Sequence, residues 1–82
     1  MTINFEELIK NMVAPLVVNP NDVLVKTLDE DSELLTLQIL VNKDDLGRVI
    51  GKNGKIAQAI RTIAYAGASK EGKKIKIDID SF

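Results

Sequence analysis

Gly51 and Gly54 enclose Lys52 and Asn53 in the run Leu46-Gly47-Arg48-Val49-Ile50-Gly51-Lys52-Asn53-Gly54-Lys55-Ile56. Without a Cβ, glycine lets the chain turn sharply and lets another backbone approach closely. Lys55 begins a periodic helical segment, so that helix directs its unpaired N–H groups and positive dipole end into the turn. Arg48, Lys52 and Lys55 add cationic donors around it. These groups together suit an anion, most naturally a phosphate. On either side lie Val49, Ile50, Ile56 and Ile60, apolar side chains against which a base can rest. Phosphate donors bordered by an apolar groove fit a single strand, whose bases are splayed and available. The simpler reading is a helix–turn–helix corner in which the glycines merely make the turn.

Spacing excludes other phosphate motifs. Nothing here has the Walker order of Gly, four residues and Gly-Lys-Ser/Thr, and G-x-G-x-x-G is absent. The chain has no Cys and no His. That removes disulfides, thiol nucleophiles, the commonest general base and the commonest transition-metal ligand. Carboxylates, lysines, hydroxyls and Tyr65 remain. Asp44 and Asp45 are the only adjacent carboxylates near the loop, and a helix cap explains them. A binding protein fits this inventory better than an enzyme, and no metal or cofactor site is expected.

The net charge of −1 hides an asymmetry. Residues 1–42 hold 2 basic and 7 acidic groups, whereas residues 43–76 hold 9 basic and 3 acidic ones. Such segregation can build one positive face on a neutral molecule, although lysines and arginines also serve simply to solvate exposed faces. With 82 residues, 45% of them hydrophobic, the chain reads as a single folded domain over 1–82. Its acidic start, MTINFEEL, has no signal-peptide character, and no apolar run nears the ~20 residues of a membrane span.

Positioning the loop requires a frame. Asn4 is a candidate N-cap with Glu7 three residues later, and Ile3 could staple to Leu8. Phe5, Leu8, Ile9, Met12, Val13, Leu16 and Val17 then follow helical spacing, with Pro15 expected to kink the helix or end its regular bonding one residue earlier. Val23, Val25 and Thr27, then Leu35, Leu37, Ile39 and Val41, alternate as two strands. Asp29 to Glu33 reads as the hairpin loop between them, a solvated turn instead of a calcium site. Asp44 or Asp45 should cap a short helix, Leu46 to Ile50. A longer helix runs from Lys55 to about Ala68 and ends at Gly67 or Gly72. Ile75, Ile77 and Ile79 mark a final strand. The order is α-β-β-α-α-β.

Val49-Ile50-Gly51-Lys52-Asn53-Gly54-Lys55-Ile56, followed by Ile60, resembles the V-I-G-x-x-G-x-x-I core of KH domains, and the element order resembles their type II, prokaryotic form. With its size, the Pro-Leu-Val stretch and Gly-Arg-Val-Ile-Gly, the chain is similar throughout to the KhpA family of small bacterial RNA-binding proteins. One departure is that the loop carries a single cation, Lys52, where two are common. The resemblance implies an α+β fold, a three-stranded mixed sheet with helices packed on one face. It implies single-stranded RNA held by Arg48, Val49, Ile50, Gly51, Lys52, Asn53, Gly54, Lys55, Ile56 and Ile60. It further implies an RNA chaperone or regulator of the bacterial cytoplasm, paired with a larger KH protein of the Jag or EloR type and linked to cell elongation and division.

On the Lys55 helix, Ala59, Ile63 and Ala66 widen the apolar arc beyond what one sheet needs. Their small neighbours would let a second copy approach, so a homodimer through this side is expected. The bland alternative has the first helix covering that edge. Tyr65 falls on the polar side, where it could stack a base or simply be exposed. The rival to RNA binding is a docking module that uses the same fold to dimerise.

Overall fold

In the computed structural model, which describes residues 3–82, helix α1 (Phe5–Val13) starts at Asn4, whose side chain accepts the Glu7 N–H at 3.1 Å. Phe5, Ile9 and Val13 bury one face of it at helical spacing. Pro15 has no N–H to donate, and the chain tightens into a 3-10 turn over Ala14–Leu16. That change of pitch leaves Leu16 exposed, so the apolar stripe ends before the sequence pattern suggests. Ile3 reaches across to α3 (Lys55–Lys70), lying beside Gly67 and donating its N–H to Glu71 Oε1 at 2.6 Å.

Strands β1 (Leu24–Glu30), β2 (Leu34–Val41) and β3 (Lys74–Ser81) form one sheet in the order β1-β2-β3. The first pair is antiparallel and the second parallel, because α2 (Leu46–Ile50) and α3 make the crossover that parallel strands require. Leu35, Leu37, Ile39, Val41, Ile75 and Ile77 face the helices and meet Phe5, Ile9, Val13, Val49, Ile60 and Ala64 in a single core. Leu24, Lys26, Lys74, Lys76 and Asp78 lie on the open face.

The hairpin is shorter than expected. Asp29 and Glu30 belong to β1, since a one-residue bulge between Thr27 and Asp29 lets pairing continue to Leu35. Glu30 accepts from Lys73 Nζ at 2.9 Å, and only Asp31 to Glu33 make the turn. Asp31 accepts the N–H groups of Glu33 and Leu34 at 2.8 and 2.7 Å, which hold its carboxyl below the usual range. At the far end of α3, Gly67 stays helical under Ile3 and Phe5, while Gly72 at φ 71° ends the helix. The Lys73 N–H then closes onto the Ala68 carbonyl at 2.9 Å.

Candidate nucleic-acid interface

Asp45 holds the base of the site. The sequence suggests a helix cap, but its carboxylate caps nothing. It is 1% exposed and accepts the N–H groups of Val18 and Asn19 at 3.0 and 2.9 Å, and the Asn19 amide at 3.1 Å. Burial pushes this carboxyl up, but those donors and the Arg48 charge outweigh burial and hold it below the usual range. Capping falls to Asn42, whose side chain accepts the Asp44 N–H at 2.9 Å. Asp45, just before α2, therefore ties the connection after α1 to the start of that helix.

Beyond α2 the chain reverses within four residues. Gly51 stands at φ 76°, ψ 173°, and an added Cβ would lie 2.6 Å from Ile56 Cγ1. Only glycine fits there. Asn53 (φ 58°) and Gly54 (φ 73°) take the left-handed region, which Asn tolerates better than most side chains. Lys55 turns its N–H back onto the Lys52 carbonyl, and Gly54 precedes α3 without a side chain to cap it, so the amides that follow in the first turn are left for solvent or a ligand. Lys52, Asn53 and Lys55 are exposed around this opening. Among the described residues the ion pairs are Arg48–Asp45, at 3.8 Å, and Lys73–Glu30. Neither pair involves Lys52 or Lys55, which leaves both amines open to an outside anion.

The apolar candidates divide. Ile50 and Ile56 are half-buried and border the loop. Val49 and Ile60 are 0% and 3% exposed, so they cannot offer a surface to a base. Both are core residues that support the groove from beneath. Three residues past Gly54, the last position of the motif is Ala57, also buried. Ala59 and Ala66 are exposed and Ile63 is 53% exposed, so α1 does not cover that side of α3.

Arg61 was not among the sequence candidates, yet it reaches from α3 to the edge of the sheet. Its guanidinium donates to the Ile77 carbonyl at 3.1 Å, across the free edge of β3. Its polar flank position was readable, but the strand it faces was not. Among the described residues no group of His, Cys, Asp or Glu could hold a metal ion, and no helix is long and apolar enough to cross a membrane.

A family model described as KhpA/KhpB, KH domain matches residues 6–79. RNA-binding protein KhpA of Listeria monocytogenes is 53% identical over 74 residues, covering 90% of this chain and 96% of that protein. The Bacillus subtilis protein of the same name is 40% identical over 76 residues, 93% of either chain. Among solved structures, Era in complex with MgGDPNP and nucleotides 1506–1542 of 16S ribosomal RNA aligns with a TM-score of 0.70 at 17% identity. Aquifex aeolicus Era bound to GDP.AlF4- aligns with a TM-score of 0.73 at 16% identity. Each alignment covers 95% of this chain and 30% of the Era chain, and it speaks to the fold alone. With the mixed sheet, the two-helix crossover and the glycine corner in place, the chain belongs to the KhpA/KhpB KH-domain family.

Proposed function

We propose that this protein binds single-stranded RNA across the Gly51–Gly54 loop. The observation that carries the reading is the uncapped start of α3, facing two lysines that no carboxylate neutralises. Phosphates meet the amides and Lys52, while bases lie on Ile50 and Ile56. The relatives' name, RNA-binding protein KhpA, supports the same class of ligand. Acting as an RNA chaperone or post-transcriptional regulator in the bacterial cytoplasm, with a larger Jag- or EloR-type partner, is the role we assign it. The sequence resemblance alone supports that finer role. An enzyme is the weaker reading, because the groove brings together no general base and nucleophile.

The double variant Lys52→Asp, Asn53→Asp tests the loop. Both side chains are exposed and both glycines stay, so the fold should survive. An anion then replaces the cation and a second stands beside it. Affinity for single-stranded RNA should fall at least about tenfold. If about three phosphates are neutralised in the wild type, log K should fall against log salt with a slope near roughly −2, and more shallowly in the variant. A folded variant with unchanged affinity and slope would remove RNA from this loop.

A second reading rests on the exposed Ile63: a homodimer through α3, presenting two loops to one RNA. In its strong form, docking is the main task and RNA binding is slight. Crosslinking and sequencing of bound RNA separates the two.

A further inference from the structure

Arg61, Tyr65 and Ser69 recur every four residues along one flank of α3, so they line up one above another. Arg61 meets β3 at Ile77. Tyr65 and Ser69 continue the flank into a cavity of about 340 Å³ that they share with Lys73, Lys74 and Ile75. This cavity lies at the opposite end of α3 from the glycine loop. Tyr65 is 46% exposed and belongs to no core cluster. Lys73 is tied to Glu30 at 2.9 Å, which leaves exposed Lys74 as the unpaired amine at the cavity. An open aromatic ring beside the Ser69 hydroxyl and a free cation are the parts of a stacking platform for a base with its phosphate, while buried Ile75 supports them from the core.

We infer that Tyr65, with Ser69 and Lys74, forms a second nucleotide subsite, which stacks a base of the same RNA strand beyond the loop. The inference rests on the loop holding RNA. At about 1.5 Å per helical residue, Tyr65 stands roughly 15 Å along α3 from Lys55. At the ~3.4 Å rise of a stacked strand that distance takes about four nucleotides, and a splayed strand covers it in fewer. A KH glycine loop clamps about four. Tyr65 therefore receives a nucleotide at or just beyond the end of that stretch, with Arg61 beside the path between. The subsite makes the protein a reader of length: short oligomers fill the loop, and longer ones also reach the ring.

The chain has one Tyr and no Trp, so its tyrosine emission reports this position alone. Single-stranded RNA pools of four and of ten nucleotides are titrated at low salt, following anisotropy of the labelled RNA together with tyrosine emission. The ten-mer should quench the tyrosine, while the four-mer binds without quenching. Tyr65→Ala should weaken the ten-mer roughly 5- to 150-fold, the range for loss of one stacked base, with the loss confined to that length, and Tyr65→Phe should restore most of it. Ten-mer binding with unchanged tyrosine emission would overturn the subsite and leave the loop reading intact. Equal losses for both lengths in a folded Tyr65→Ala protein would overturn it as well. If neither oligomer binds the wild type, the loop reading itself falls and this inference with it.

Discussion

Gly51 and Gly54 look equivalent in the motif, but the structure gives them different tasks. Gly51 lies where ψ is 173° at positive φ, a region held almost entirely by glycine and costing other residues about 1–3 kcal/mol. Its missing Cβ also leaves room for Ile56, which would otherwise come within 2.6 to 2.9 Å. Gly54 has left-handed angles, and a Cβ there would meet nothing within 4 Å. Gly54→Ala should therefore cost only the left-handed penalty, about 1–2 kcal/mol, or roughly 4–16 °C in Tm at ~4–8 °C per kcal/mol. Gly51→Ala should cost distinctly more, and because Ile56 must move, it should also disturb the groove. Thermal unfolding of the two variants decides this. Equal losses would show that backbone strain alone matters and that the Ile56 contact is slack.

At the scale of elements, what was legible followed local chemistry. The Asn4 cap, the proline stop in α1, the alternation of Leu35 to Val41 and the glycine corner all depend on residues within a few positions of one another. What was not legible is non-local. Val49 and Ile60 have the residue types of a groove wall, but their burial is decided by the sheet and α1. Arg61 needs β3, sixteen residues away, to show its direction. Asp45 reads as a cap beside its own helix, yet its partners are Val18 and Asn19, 27 and 26 residues earlier. That clasp has a pH signature. Asp45 has its folded carboxyl held below the ordinary 3.8, so its contribution is fully present above that value and is lost as pH falls through the lowered one. Asp45→Asn keeps one acceptor oxygen but sets an NH2 group against either the Val18 N–H or the two Asn19 donors, and should destabilise the protein at neutral pH. Urea unfolding from pH 7 down to pH 2 should show the two stability curves converging in acid. They should not merge completely flat, since Asp31 titrates in the same direction in both proteins. Curves that stay parallel throughout would mean the clasp does not depend on charge.

At the scale of the whole molecule, the two exposed sides of α3 point to different partners. Arg61, Tyr65 and Ser69 look toward β3, while Ala59, Ile63 and Ala66 look away from the sheet. Pairing two copies through the second side would leave both glycine loops free. A two-fold axis beside Ile63 in an antiparallel pair of helices sets Ala59 of one copy against Ala66 of the other, so small residues oppose small ones and the backbones can come close. A stable interface takes about 800 Å² from each partner, a sizeable share of the 5256 Å² that one copy exposes. Three side chains cannot supply that area alone, and the exposed aliphatic stem of Lys70 at the end of α3 away from the loop would have to join them. The centre of such an interface should dominate its energy. Ile63→Asp places a charge there, one against its own copy across the axis, while altering a position already 53% exposed in the single chain. Sedimentation should find the wild type dimeric at micromolar concentration and the folded variant monomeric, with binding to a four-nucleotide RNA retained because the loop is untouched. A wild type that sediments as a monomer, or a charged variant that still dimerises, would move the partner surface elsewhere and leave Ile63 without one.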